Sequence, residues 1–245
     1  MTSELINDFK VSSAKKRFFT RRVRRRATRF WATDWSLTVL LILLVGNLFI
    51  LPLAQFATWG RLLARSILSL IIISGLLAAA RFRYVALAAA LSLGSLVMGW
   101  VDMERPNLYR DLFNDFYSLL FIGVLVVLIL QQVLRGGPIT PRRVQGSVAI
   151  YLLLGLLWAI SYEIVELLEP GSFALPFTKG NVSLPQLAYF SFTTLTTLGF
   201  GDVLPVRPFA RSLVVLEALM GQLFPVVLIT RLVTMEIEHH RRPDQ

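Results

Sequence analysis

Between Tyr189 and Asp202 the chain reads YFSFTTLTTLGFGD, a short aromatic stretch that runs through four threonines into Gly-Phe-Gly-Asp. Backbone carbonyls and threonine hydroxyls can replace the water around a cation, provided that the carbonyls turn toward one axis. Such backbone alternates right- and left-handed dihedrals, and Gly199 and Gly201 reach the left-handed ones without steric penalty. The candidate ligands are then the carbonyls of Thr197, Leu198, Gly199 and Phe200, with the Thr197 hydroxyl adding a ring at the inner end. The segment reads as an ion selectivity filter. A lone Gly-x-Gly is a weak signal, and its plainer alternative is a loop turn beside a polar helix face. Enzymatic chemistry finds less support. There is no cysteine, which excludes disulfides and thiolate metal sites, and the two histidines, His239 and His240, lie together in the C-terminal tail. No internal histidine, cysteine or clustered carboxylates supply the nucleophile, base or metal centre of a membrane hydrolase, so the chain reads as no enzyme.

The rest of the chain must hold such a segment in a membrane. Its 245 residues are 55% hydrophobic with a mean hydropathy of +0.64, too apolar for a soluble globular protein of this size. Stretches long enough to span fall near Trp35–Leu51, Leu62–Ala80, Val85–Val101, Phe116–Leu134, Val144–Leu168 and Arg211–Val233. Between the fifth and sixth, Leu184–Thr197 is too short to cross and leads straight into the glycines. It reads as a re-entrant half-helix with Pro185 in its first turn. Non-helical backbone at membrane depth survives only where protein buries it or it lines a watery cavity, and a filter meets that condition.

Lysine and arginine collect at residues 10–29 and in alternate loops (Arg81, Arg83, Arg135, Arg142, Arg143, Arg231, Arg241, Arg242), which places both termini in the cytoplasm. Six spans return the chain to the same side. The net charge of +10 sits mostly in the N-terminal tail, where anionic lipid headgroups, and not nucleic acid, are the expected partner. Phe19, Val23, Ala27, Phe30 and Trp31 fall at helical spacing, so residues 14–31 can lie along the interface. No cleavable leader pattern precedes the first span.

Two glycines and two prolines at residues 135–141 divide the chain. The expected organisation is a basic segment 1–34, a four-helix module 35–135, a linker 136–143, a pore domain 144–238 and a tail 239–245. The fold class is an all-α membrane protein: a four-helix S1–S4-like bundle, then a two-helix pore domain with a re-entrant helix and filter. Thr197-Leu198-Gly199-Phe200-Gly201 resembles the Thr-Val-Gly-Tyr-Gly filter of the tetrameric potassium channel family, and Thr193, Thr194, Thr196 and Asp202 extend the likeness. Leu198 replaces the usual valine and Phe200 the usual tyrosine, whose hydroxyl would brace the filter from behind. Phenylalanine also occurs here in potassium-selective members of the family.

The resemblance implies potassium held in turn by the four carbonyls, with no cofactor beyond the permeant ions. One chain carries one filter segment while a site needs carbonyls from four directions, so a homotetramer is expected. Leu198 and Phe200 are expected to pack behind the filter beside Tyr189, Phe190 and Phe192. The resemblance favours Asp202 as an anchor of the filter, although concentrating cations at the mouth is also open to it. Thr196 is expected to brace the filter; Thr193 either does so or bonds its own helix. Glu166 and Glu169 suit a solvated outer rim, whereas the deeper Glu163 needs a partner. Glu217 is costly in lipid and is expected to bond the half-helix or filter, with Gln222 a lesser candidate. Gly221 and Pro225 suit either an inner-helix hinge or close packing of small residues.

The fourth span, LLFIGVLVVLILQQV, has no charge in its middle, so little or no intrinsic voltage sensing is expected. The few residues after the last span suggest no cytoplasmic ligand-binding domain. The alternatives are a non-selective cation channel and a non-conducting regulatory or transport subunit. The expected location is a cell membrane, that of a bacterium.

Overall fold

The computed structural model describes residues 36–53, 71, 93–94, 108–135, 140–175 and 182–240. Its helices are α1 (Ser36–Leu53), α2 (Leu108–Val133), α3 (Pro141–Leu168), α4 (Leu184–Leu195) and α5 (Pro208–His240), with two short strands, β1 (Phe173–Ala174) and β2 (Leu204–Pro205). The basic N-terminal segment lies outside the described residues. So do the second and third expected spans, except Ile71 and the helical pair Leu93 and Gly94. The completeness of a four-helix first module is therefore a matter for the sequence.

Three described helices, α2, α3 and α5, are long and apolar enough to cross a membrane, and α1 holds a shorter apolar run. Helix α2 starts at Leu108, ahead of the expected Phe116. Asp111 sits in its first turn, where a carboxylate complements the positive end of the helix dipole. Helix α3 starts at Pro141, inside the stretch read as linker, because proline at the first helical position needs no hydrogen-bond donor. Helix α5 continues to His240.

Helix α3 is the central post. It packs against α1 and α2 on one side and against α4 and α5 on the other. Its buried residues, among them Ile150, Leu153, Ala159 and Tyr162, fall all round the cylinder, as expected of a helix enclosed by others. The antiparallel pair β1–β2 aligns Phe173 with Pro205 and Ala174 with Leu204, and so ties the chain after α3 to the chain before α5. Glu166 organises this corner by accepting the backbone N–H groups of Gly171 and Phe173 at 2.9 and 3.0 Å. Gly171 itself has a φ of +82°, a left-handed turn suited to glycine.

Candidate functional site

The half-helix α4 begins with a reciprocal cap. The Ser183 backbone N–H donates to Gln186 Oε1 at 2.8 Å, Pro185 occupies the first turn, and the side chains close a capping box. The helix ends at Leu195, two residues before the expected Thr197. From there the backbone reverses. Thr197, Gly199 and Gly201 have φ of +62°, +54° and +77°, while Leu198 and Phe200 stay on the ordinary side. This is the alternation of handedness that turns successive carbonyls the same way, extended by one residue to Thr197. A β-branched residue is strained in that region, so its neighbours must hold it there.

What holds it is the end of α4. The Thr193 carbonyl accepts the N–H groups of Leu198 at 2.8 Å and Gly199 at 3.2 Å, and the Thr194 carbonyl accepts that of Thr197 at 2.9 Å. The Thr196 hydroxyl donates to the Phe192 carbonyl of its own helix at 2.6 Å, and the Thr193 hydroxyl to that of Phe190 at 2.9 Å. Support from Thr193 therefore passes through its backbone, and the Thr196 hydroxyl bonds its helix and not the filter. Tyr151 of α3 donates to the Leu195 carbonyl at 3.0 Å, satisfying one of the acceptors that a helix end leaves open.

Behind the half-helix, Glu217 of α5 is fully buried. The Tyr162 hydroxyl of α3 donates to its Oε2. Ser191 Oγ of α4 lies 2.5 Å from its Oε1 and 2.7 Å from the Gly155 carbonyl oxygen of α3. The Tyr162 and Ser191 hydroxyls thus reach one oxygen each of the Glu217 carboxyl, and the cluster joins three helices. Phe173, Phe190 and Tyr162 enclose it with ring centroids 5.1 to 5.7 Å apart.

The close approach of the three helices depends on two glycines. A Cβ at Gly221 would fall on the Leu195 carbonyl, and one at Gly155 on the Phe192 ring. Gly221 thus packs against the end of the half-helix. Pro225, one turn on, lines an apolar cleft of about 320 Å³ between α3 and α5, so the lower part of α5 stands away from α3. Gln222 is exposed.

At the other end of the filter, the Tyr189 hydroxyl donates to Asp202. This bond ties the outer part of the half-helix to the residue that follows the filter. Phe200 stacks on Tyr189 with centroids 6.4 Å apart, while its outer side, like Leu198, is open in the single chain. Glu169 pairs with Arg207 at 3.4 Å on the exposed rim. Glu163 sits within electrostatic reach of Asp115 and Asp111 of α2.

The residues missed by sequence reasoning are Tyr151, Gly155, Tyr162 and Ser191. The first three carried a usable signal: with Trp158 they recur at intervals of four, three and four, marking one face of α3. Ser191 gave no signal beyond being polar in an apolar helix.

Residues 147–238, which contain every group described above from Tyr151 to Gly221, match a family model described as an ion channel. Within the curated proteins, a stretch of 78 residues is 36% identical to the inward rectifier potassium channel Kirbac3.1 of Paramagnetospirillum magnetotacticum. That stretch covers 30% of this chain and 23% of the relative, so the chain spans less than a quarter of the relative's length. No solved structure matches. With its long apolar helices, the chain is a multi-pass membrane protein with a segment similar to ion channels.

Proposed function

We propose that the chain is the subunit of a homotetrameric channel that conducts potassium passively through a filter formed by Thr197, Leu198, Gly199, Phe200 and Gly201. The alternation of left-handed φ at Thr197, Gly199 and Gly201 carries this reading, because it is the backbone geometry a carbonyl-lined ion path requires. Residues 196–201 are exposed in the single chain, whereas the half-helix behind them is buried. Exposed irregular backbone at membrane depth calls for further protein around it. Four copies about one axis supply that cover and close each ring of carbonyls. The likeness to a potassium channel supports potassium as the ion.

Glu217, Tyr162 and Ser191 fix the distance between the half-helix and its two flanking helices, and Tyr189 with Asp202 steadies the outer mouth. Helix α2 has no charged residue between Asp115 and its end at Val133, which supports little or no intrinsic voltage sensing. Both termini face the cytoplasm, by the distribution of arginine and lysine. The ions in transit are the only ligands the reading needs, and no cofactor takes part.

Flux into liposomes holding the purified protein, driven by a potassium gradient and then by a sodium gradient, tests the proposal. Potassium flux well above sodium flux, lost in Gly199→Ala, supports it. Equal fluxes make the channel non-selective, and no flux in potassium contradicts conduction.

A further inference from the structure

Gly221 fixes the depth of its neighbour Gln222. A Cβ at Gly221 would fall on the Leu195 carbonyl, so this part of α5 stands level with the end of the half-helix, two residues before Thr197 opens the filter. Gln222 lies about 100° further round the helix and is exposed in the single chain. Its amide has two donor hydrogens and an acceptor oxygen with two lone pairs, and none of the described residues bonds it. Beside it on the open face are Leu219, Leu223 and Val226, all apolar. Lower on that face the Thr230 and Thr234 hydroxyls donate to the carbonyls of Val226 and Thr230 at 2.7 and 2.9 Å, so their hydrogens are already used. Gln222 is the contrast: its hydrogen-bonding capacity is unspent. Such an amide is costly against lipid or a second apolar helix, whereas water satisfies every position of it.

We propose, resting on the tetramer and conduction path read above, that Gln222 lines a water-filled cavity directly below the filter, where four copies of its amide receive a hydrated monovalent cation about to enter. The amide oxygens accept hydrogen bonds from the ion's water shell and leave the stripping of that shell to the filter carbonyls. Neutral groups hold the ion loosely, which suits a place that ions must both enter and leave. Gln222 thus acts on the rate of ion entry, and the filter on the choice of ion.

The chain has no cysteine, so an introduced thiol is the only one that a methanethiosulfonate reagent can modify. Gln222→Cys in liposomes is exposed on both faces of the membrane to an impermeant cationic reagent or to the small neutral methyl reagent, with thiol labelling and potassium flux both measured. Val227→Cys, also exposed in the single chain but about 140° further round α5, is the comparison. The cationic reagent should label Gln222→Cys at least roughly tenfold faster than Val227→Cys and lower its flux roughly tenfold or more, while the neutral adduct leaves most of the flux. Wild-type flux with an unlabelled Gln222→Cys overturns the proposal alone, because the amides then pair between copies or face lipid. Equal labelling at the two positions, or equal effects of the two adducts, also overturns it. No wild-type flux, whatever the labelling, overturns the conduction reading beneath it. Should Gln222→Cys fail to fold, Gln222→Glu should raise potassium flux and Gln222→Lys lower it by roughly tenfold or more, and changes of the same sign in both contradict the assignment.

Discussion

Helices α3 and α5 are of similar length and similarly apolar, yet the membrane-length window of α3 is 61% buried within the chain and that of α5 only 17%. The difference is one of environment, not of composition. Helix α3 meets its own chain around most of its surface, with Val144 and Val148 left exposed near its start. Helix α5 is buried at scattered positions, among them Ala210, Glu217, Leu228 and Met235, and leaves Val215, Leu219, Leu223, Val226 and Val227 exposed. The filter divides in the same way, with a back locked to α3 and α5 by named hydrogen bonds and a front that none of the described residues covers. We read the closed side as the work of one subunit and the open side as what the other three complete.

Gly221 offers the sharpest way to break that comparison. In Gly221→Val the added carbons meet the Leu195 backbone carbonyl, which cannot swing aside. A loss of about 4 kcal/mol or more in stability is expected, measured by thermal or denaturant unfolding in detergent. Gly123→Ala of α2, where an added carbon meets nothing within 4 Å, is the matched control and should stay near wild type. A freely tolerated Gly221→Val would mean that α5 is not held against the half-helix.

The Glu217 cluster comes next in size. Glu217→Ala strands the Tyr162 and Ser191 hydroxyls in a buried site and should destabilise by about 3 kcal/mol. Glu217→Gln keeps a side chain of the same shape with hydrogen-bonding groups beside both hydroxyls, so it should remain within about 1 kcal/mol of wild type in the same unfolding assay. If glutamine proved as damaging as alanine, the cluster would need the carboxyl group itself.

Smaller effects sharpen the contrast between inside and rim. Tyr151→Phe removes one bond to the Leu195 carbonyl and should cost about 1 kcal/mol. Arg207→Gln breaks only a half-exposed ion pair with Glu169, and a change within about 0.5 kcal/mol is expected from unfolding at physiological salt. A larger loss at Arg207 than at Tyr151 would reverse the ranking of the two regions.

These contrasts were partly legible in the sequence. The glycines at 199 and 201, the half-helix start at Pro185 and the long apolar stretches around α2, α3 and α5 follow from local rules on dihedrals, proline and span length. The left-handed turn at Thr197 does not. Threonine disfavours it, and only the carbonyls of Thr193 and Thr194, brought round by the helix end, hold it there. Glu217 could be recognised as needing a partner because a carboxyl is costly in lipid. Its partners came from two other helices, and a single sequence does not show which faces meet across 26 and 55 residues. Thr196 illustrates the reverse error: proximity to the filter suggested a brace, but a hydroxyl within reach of the carbonyl one turn back bonds there first.

The central claim, that four copies share one filter, is tested most directly by mixing. Wild-type and Gly199→Ala chains co-expressed in equal amounts, purified together and placed in liposomes, should give about one-sixteenth of the wild-type potassium flux, because only rings of four intact filters conduct. A flux near one-half would mean that each chain conducts alone, and an undiminished flux would mean that ions do not pass through Gly199; either result contradicts the account.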